Sequence, residues 1–328
     1  MARAAQQFLA YPTGGWTADG ALKVGMDNRD NPPSRTPIPE IPRSTAVPLC
    51  TDDRGGGRPA NGAGIDGPIQ VLTTAQQNLP CVLRLKYGPA ERMGPAPRLR
   101  QRLGYSSPDD WYEAAVFGLV NGTTTWLDVG CGRSMFPFNH ATAKLLSERC
   151  RLLVGLDPSD NIHGNDLVHE RVQCPLEDYV TDRRFDLVTL RMVAEHITDP
   201  VAAVGALARL TAVGGRVVVY TVSKWAPATM VSAITPFWLH VAAKRVLWQG
   251  NERDAFPTAY RMNTRSELGR LFATGGFQEE SFQYLDDCRA FGRFMSLNRL
   301  ELLAWKALRS IGLPYPESCI LAVFRKSG

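Results

Sequence analysis

Closely spaced metal-binding or redox residues are what this 328-residue chain most plainly lacks: its seven cysteines are scattered, and it has only five histidines. No two of Cys50, Cys81, Cys131, Cys150, Cys174, Cys288 and Cys319 stand at the spacing of a zinc knuckle or a dithiol motif. They read as reduced thiols, with Cys131, Cys150 and Cys174 at or beside predicted strands as small apolar residues, and no metal is expected. Long apolar runs are missing too. No stretch approaches the roughly 18 consecutive apolar residues of a membrane span, and the amino terminus has no basic segment leading into an apolar one, so a cytoplasmic location is the default expectation. Charge of one sign is not in large excess: the formal net charge is +5, which neither demands nor excludes a nucleic-acid partner. What is present, 44% apolar and 21% charged residues, suffices for a sizeable core in one main domain with extras or in two small ones.

Residues 1–104 hold more than half of the 23 prolines, the run Gly55-Gly56-Gly57 and little sustained periodicity, and read as a largely irregular arm. Two patches within it have the makings of order: Ile69 to Leu79, and Cys81-Val82-Leu83-Arg84-Leu85, which reads as a short strand. The basic residues Arg84, Lys86, Arg92, Arg98, Arg100 and Arg102 could follow a phosphate backbone. A solvated linker accounts for them more simply.

From residue 105 the pattern changes. Ser107 is placed to cap a helix, with Pro108 at its first position and Asp109-Asp110 in the first turn. Short apolar runs then alternate with helical stretches: Thr124 to Val129, Leu152 to Leu156, Glu170 to Gln173, Phe185 to Leu190 and Arg216 to Tyr220. That alternation predicts a parallel α/β sheet. Asp199-Pro200 opens the helix after the fourth run, and Thr264-Arg265-Ser266-Glu267 matches a capping box for another that stops at Gly275-Gly276. A strand near Phe277 to Tyr284, a helix from Ala290 to Leu308 and a last strand from Ser318 to Phe324 complete the chain. In that helix Phe294, Leu297, Ala304 and Leu308 share a face and are expected in the core.

In a doubly wound sheet, ligands collect at the carboxyl ends of the strands, where a glycine loop lets backbone come close to them. Here the first strand runs into Gly130-Cys131-Gly132-Arg133-Ser134, and the second ends in Asp157, placed to accept the hydroxyls of a ribose. A glycine pair alone is weak evidence. Joined to Asp128 before it, Asp157 after the next strand and the later strands in order, it becomes specific. A dinucleotide fingerprint would need glycine where Met135 stands.

Leu127-Asp128-Val129-Gly130-Cys131-Gly132 closely resembles the first motif of class I S-adenosylmethionine-dependent methyltransferases, and Leu153-Val154-Gly155-Leu156-Asp157 resembles the second. Phe185-Asp186-Leu187-Val188 with Glu195 to Pro200 is similar to the fourth strand and its loop, and Gly214 to Val219 to the glycine turn and fifth strand. The nearest branch by these motifs is the small-molecule one that includes ubiquinone-biosynthesis enzymes. The resemblance implies a Rossmann-like sheet of seven mostly parallel strands with helices on both faces and the last strand antiparallel, over residues 105–328. It implies S-adenosyl-L-methionine as cofactor: Gly130 and Gly132, with Cys131 between them, under its methionine part, Asp128 toward its amino group, Asp157 with Pro158 at the ribose, Leu176 and Glu177 along the adenine, and the carbonyl of Arg191 facing the amino group. Many relatives have a third glycine where this chain has Ser134, so a positive φ there would strain the loop.

Methyl transfer from a sulfonium is a direct displacement, which asks mainly for alignment and exclusion of water. For a hydroxyl or ammonium acceptor a base helps, and His196, with Glu195 beside it, follows the fourth strand at the right edge. Equally, the pair could tether the next helix. Residues 224–258 interrupt the fold with Trp225, Met230, Phe237, Trp238, Val246 and Trp248, a lid-like insertion suited to a small or amphiphilic acceptor, or to peripheral contact with a membrane. The expected activity is methylation of a small or lipid-like acceptor, on oxygen before nitrogen or carbon. Its rivals are methylation of RNA or protein and a silent nucleoside-binding scaffold. Nucleic acid is not the expected partner.

Overall fold

The computed structural model describes residues 70–234, 258–292 and 294–328. The arm before residue 70 and most of the expected lid, residues 235–257, lie outside the described residues. Among those described, seven strands make one sheet in the order β3-β2-β1-β4-β5-β7-β6. They are β1 (Thr125–Val129), β2 (Leu152–Leu156), β3 (Glu170–Val172), β4 (Phe185–Arg191), β5 (Thr211–Val222), β6 (Phe277–Asp286) and β7 (Ser318–Lys326). The pairs β2–β3, β1–β2, β1–β4 and β4–β5 are parallel, and β7 enters antiparallel between β5 and β6. The expected fold class is therefore the observed one. Strand order reverses between β1 and β4, which opens a crevice at their carboxyl ends.

The two faces of the sheet are covered separately, because successive side chains of a strand point to opposite sides. Leu127, Val129, Val188, Leu190 and Val219 pack beneath α5 (Pro200–Leu210) and α7 (Arg265–Thr274). On the other face Trp126, Leu187, Val218 and Tyr220 meet α1 (Gln70–Tyr87), α3 (Pro108–Leu119) and α4 (His140–Arg149). The caps follow the sequence: Ser107 and Asp110 form a reciprocal box on α3, Asp199 accepts from Val201 and Ala202 with Pro200 at the first position of α5, and Thr264 accepts from Glu267 on α7. Each such cap stabilises its helix by about 0.5–2 kcal/mol.

Two expectations are overturned. Within the part of the arm that is described, order extends beyond the expected patch from Ile69 to Leu79: residues 70–103 are largely helical, in α1 and in α2 (Pro95–Leu103), and Cys81 to Leu85 lies inside α1 rather than forming a strand. The reason is the buried row Val71, Ala75 and Val82, continued by half-buried Leu79, which packs on α3 at helical spacing. Pro80 is accommodated within this helix. Lys86, read as part of a basic run, is turned inward: its Nζ lies 2.8 Å from Asp110 and 3.0 Å from Glu113, with side chains only 5% and 3% exposed. The second correction concerns α8, which spans Met295–Ser310 rather than beginning at Ala290. Phe294, Leu297 and Ala304 are exposed there, and the buried residues are Asn298, Glu301 and Leu302. The buried carboxylate of Glu301 is satisfied by the N–H groups of Ala290 and Phe291, the amide of Asn298 and the hydroxyl of Tyr315. That set of donors removes the penalty that would otherwise keep a polar face out of the interior. Among the described residues no helix is long and apolar enough to cross a membrane.

Candidate active site

The crevice between β1 and β4 begins at Gly130 and Gly132, which take φ of +67° and +47°, a region that side chains with a Cβ enter at a cost. A Cβ on Gly130 would stand 2.3 Å from Cγ2 of Val193, whereas the space above Gly132 is open. Ser134 does not share the positive φ, so it brings no strain. The loop is held from below. The N–H groups of Gly130 and Cys131 donate to the Leu156 carbonyl at 2.7 and 3.3 Å, and that of Gly132 donates to Asp157 Oδ2 at 2.8 Å. Buried Asn165 donates through Nδ2 to the Gly132 carbonyl at 3.3 Å.

Asp157 also orders the turn after β2, since its Oδ1 accepts from the N–H and hydroxyl of Ser159 at 2.8 and 2.6 Å. A carboxylate has about four acceptor directions, so room for a further donor remains. Cys131 faces the other way. Its sulfur packs on β2, where a Cβ at Gly155 would meet it at 2.8 Å, and burial pushes the thiol far up. Only the backbone of Cys131 is available to a ligand. Pro158 is exposed beside Asp157, Glu177 is half-buried, and Leu176 is buried in the core on the α5 and α7 face of the sheet.

On the floor of the crevice, Asp128 is fully enclosed. Trp126 Nε1 donates to the Thr189 hydroxyl at 2.7 Å, which donates in turn to Asp128 Oδ1 at 2.6 Å. The other oxygen, Oδ2, is buried without a protein partner. Burial pushes the Asp128 carboxyl up to about 7, against the opposing pull of the Thr189 hydrogen bond and of Arg191. An unpaired buried carboxylate oxygen is costly, and it marks a place where a cationic donor would be welcome.

At the end of β4, Arg191 reaches across to Asp109 on α3 at 2.6 Å. Asp109 also pairs with Arg289, whose guanidinium grips Asp287 with two bonds of 2.6 and 2.7 Å. Burial works to raise Asp109, but the two guanidinium groups prevail and hold its carboxyl below the usual range. The side chain of Arg191 is thus engaged with α3. The next residue, Met192, takes φ of +52° and donates its N–H to the Tyr220 carbonyl at 2.7 Å. Backbone strain of this kind collects beside functional sites.

Glu195 and His196 close the short turn Ala194–His196. The Glu195 carboxylate is buried and accepts from the Thr221 hydroxyl at 2.6 Å; Thr221 accepts from Asn263 at 2.9 Å. Burial raises the Glu195 carboxyl, with the Thr221 bond opposing. Its carbonyl takes the N–H groups of Ala259 and Tyr260 at 2.7 and 3.1 Å. Glu195 therefore ties the β4 loop to β5 and to residues 259–263, which lead into α7. His196 is half-buried at the rim.

A family model described as a methyltransferase domain matches residues 90–281. The chain belongs to that family. It is a class I S-adenosylmethionine-dependent methyltransferase, and S-adenosylmethionine is its cofactor. Comparison with curated protein sequences gives no match. Among solved structures, the N-methyltransferase NodS from Bradyrhizobium japonicum WM9 with S-adenosyl-L-homocysteine is 16% identical, with 78% of this chain and 100% of that one covered and a TM-score of 0.39. The cyclopropane synthase MmaA2 from Mycobacterium tuberculosis is 15% identical, with coverages of 66% and 83% and a TM-score of 0.41. A geranyl diphosphate methyltransferase in complex with GPP and sinefungin is 15% identical, with coverages of 64% and 74% and a TM-score of 0.41.

In this methyltransferase the sequence points to Asp128, Gly130, Cys131, Gly132 and Asp157, and the fold brings all five to one crevice. It does not reveal Thr189, Asn165, Asp109 or Arg289. Thr189 carries a readable signal, because it stands two residues before Arg191 and faces Asp128 across the β1–β4 register. Asp109 and Arg289 lie 180 positions apart and meet only through the tertiary fold.

Proposed function

We propose that the crevice at the carboxyl ends of β1, β2 and β4 holds S-adenosylmethionine and that the chain methylates a small or lipid-like acceptor at oxygen. The observation that carries the cofactor half is the buried, unpartnered Oδ2 of Asp128 below an open glycine loop. A carboxylate in that position fits the ammonium of the methionine part, and the remaining acceptor direction of Asp157 fits a ribose hydroxyl. The backbone of Gly130, Cys131 and Gly132 would lie along the methionine chain, Pro158 beside Asp157 at the ribose, Leu176 and Glu177 toward the adenine, and the Arg191 carbonyl near the amino group. The bound cofactor supplies an electrophilic methyl group on sulfur. The protein has to hold it in line with the acceptor and keep water out.

Calorimetry tests the cofactor site. S-adenosylhomocysteine should bind the native chain, and Asp128→Asn should weaken binding by roughly 1.5–3 kcal/mol, the usual worth of a hydrogen bond to a charged group. Because the Asp128 carboxyl lies near 7, only its ionised form attracts an ammonium, so affinity should rise from pH 6 to pH 8 in the native chain and less in Asp128→Asn. An affinity equal in both proteins at every pH would remove Asp128 from the site.

The acceptor half is supported by the exposed Trp225 and Met230 at the start of the insertion and by His196 at the rim. His196 is proposed as the base that takes the acceptor proton, with Glu195 holding its loop in place through Thr221. With a panel of phenolic and long-chain hydroxyl acceptors and labelled cofactor, His196→Ala should lose about 100-fold in kcat with little change in S-adenosylhomocysteine affinity. Full activity in that variant would make the residue structural.

A further inference from the structure

We propose that α8 and the chain that follows it form a docking face for an anionic lipid surface. None of the residues of this face is among those assigned to the cofactor crevice, and the proposal does not depend on the choice of acceptor. Leu297, Leu300, Ala304, Ala307 and Ile311 repeat at alternating spacings of three and four, which places them in one stripe along the helix, and all are exposed. Leu300 and Ile311 are 63% and 69% exposed. Leu303 lies beside the stripe, and Phe291, Phe294 and Met295 before or at the start of the helix and Leu313 after it are exposed as well. A continuous row of exposed apolar side chains exceeds the scattered single residues that water-facing helices ordinarily show.

The surroundings of the stripe decide its occupant. Arg299 and Lys306, seven residues apart and both exposed, flank it along one edge, and Arg309 lies exposed near its end while pairing with Asp286. The helix's single carboxylate, Glu301, faces the interior, where it is already satisfied. Every exposed charge on α8 is therefore positive. A second copy of this chain placed about a two-fold axis would bring the same cations together, which disfavours a self-complementary dimer. An anionic surface takes the opposite advantage: apolar groups enter the acyl boundary while Arg299 and Lys306 reach headgroup phosphates. At about 1.5 Å per residue, a helix of 16 residues presents roughly 24 Å of such a face. The N–H of Ala228, at the start of α6 (Pro227–Ile234), donates to the Glu317 carboxylate at 2.9 Å, which joins that turn of α6 to the segment between α8 and β7; Trp225 and Met230, close to Ala228 in sequence, are exposed.

Vesicle flotation of the full-length protein tests the proposal. Vesicles of phosphatidylcholine with phosphatidylglycerol should carry the protein upward at low salt, vesicles of phosphatidylcholine alone should carry far less, and binding should fade as salt rises. Leu300→Asp/Ile311→Asp should weaken binding by about tenfold or more, and Arg299→Gln/Lys306→Gln should remove most of the preference for anionic vesicles. Both variants should keep the thermal midpoint and the S-adenosylhomocysteine affinity of the native chain, since the altered side chains point into solvent. No flotation of the native chain on anionic vesicles would overturn the proposal. So would flotation undiminished in Leu300→Asp/Ile311→Asp, which would place the contact elsewhere, or a dimer in sedimentation that this variant dissociates without any vesicle binding, which would make the face a contact between copies.

Discussion

Lys86→Met should lower the unfolding free energy by about 3–5 kcal/mol, the usual loss when one partner is removed from a buried ion pair. Lys86 is the cation of a cluster that joins three helices: it meets Asp110 and Glu113 of α3, and Asn139, the cap of α4, donates to Glu113 at 2.8 Å. Methionine fills similar volume, so the deficit would report the two carboxylates left without a charge partner rather than a cavity. The pH dependence separates this account from simple loss of packing. Burial outweighs Lys86 and Asn139 and raises the Glu113 carboxyl from 4.5 to about 7. A raised carboxyl contributes stability that is fully present below its unfolded value and is lost as pH rises through its folded value, so Glu113 favours the fold at pH 4.5 and withdraws that support through pH 7. Without Lys86 the folded value should climb further. The deficit of Lys86→Met should therefore be smaller near pH 5 than near pH 8 in denaturant titrations, and a deficit independent of pH would refute the cluster's role.

Lys86 also shows where sequence reading fails for physical reasons. Counted with its basic neighbours it looks like a solvated or phosphate-binding residue, because nothing local reveals two carboxylates waiting 24 and 27 positions away. The surrounding helix carries a fainter mark, the row Val71, Ala75, Leu79 and Val82, which Pro80 and the alternation of Cys81 to Leu85 obscure. The strands and helix caps from Ser107 onward were legible because their signals are local: Asp199-Pro200, Thr264 with Glu267, and glycines at positive φ act within one turn of chain. On α8 the apolar pattern was genuine, but the inference from pattern to core was not. A helix contributes its apolar face to the interior only when that face is the one turned inward, and Glu301 with Asn298 turned the other face there by finding partners in Ala290, Phe291, Cys288 and Tyr315. The site divides in the same way. Asp128, Gly130, Gly132 and Asp157 stand within motifs, whereas the Asp109–Arg191–Arg289–Asp287 cluster depends on three separate segments closing over the strand ends.

The two glycines of the loop should respond differently to the same substitution. Gly130→Ala puts a Cβ where φ is +67° and where Val193 Cγ2 stands 2.3 Å away. The left-handed backbone costs about 1–2 kcal/mol. Moving Val193 or the loop costs a further 1–3 kcal/mol or so. The loss should therefore appear mainly in thermal stability. Gly132→Ala carries the first cost alone, since its Cβ meets nothing within 4 Å, yet that Cβ would project into the space proposed for the methionine part. There the larger effect should be on S-adenosylhomocysteine affinity, about tenfold or more for a misfit methyl in a close backbone approach. Adding Val193→Ala to Gly130→Ala should restore the steric share and leave the backbone share, giving a favourable coupling of about 1–3 kcal/mol in the double-mutant cycle. Additive losses would show that Val193 yields freely and that only the dihedral demands glycine. If instead Gly132→Ala bound S-adenosylhomocysteine as tightly as the native chain, the open space above that residue would not be where the cofactor lies.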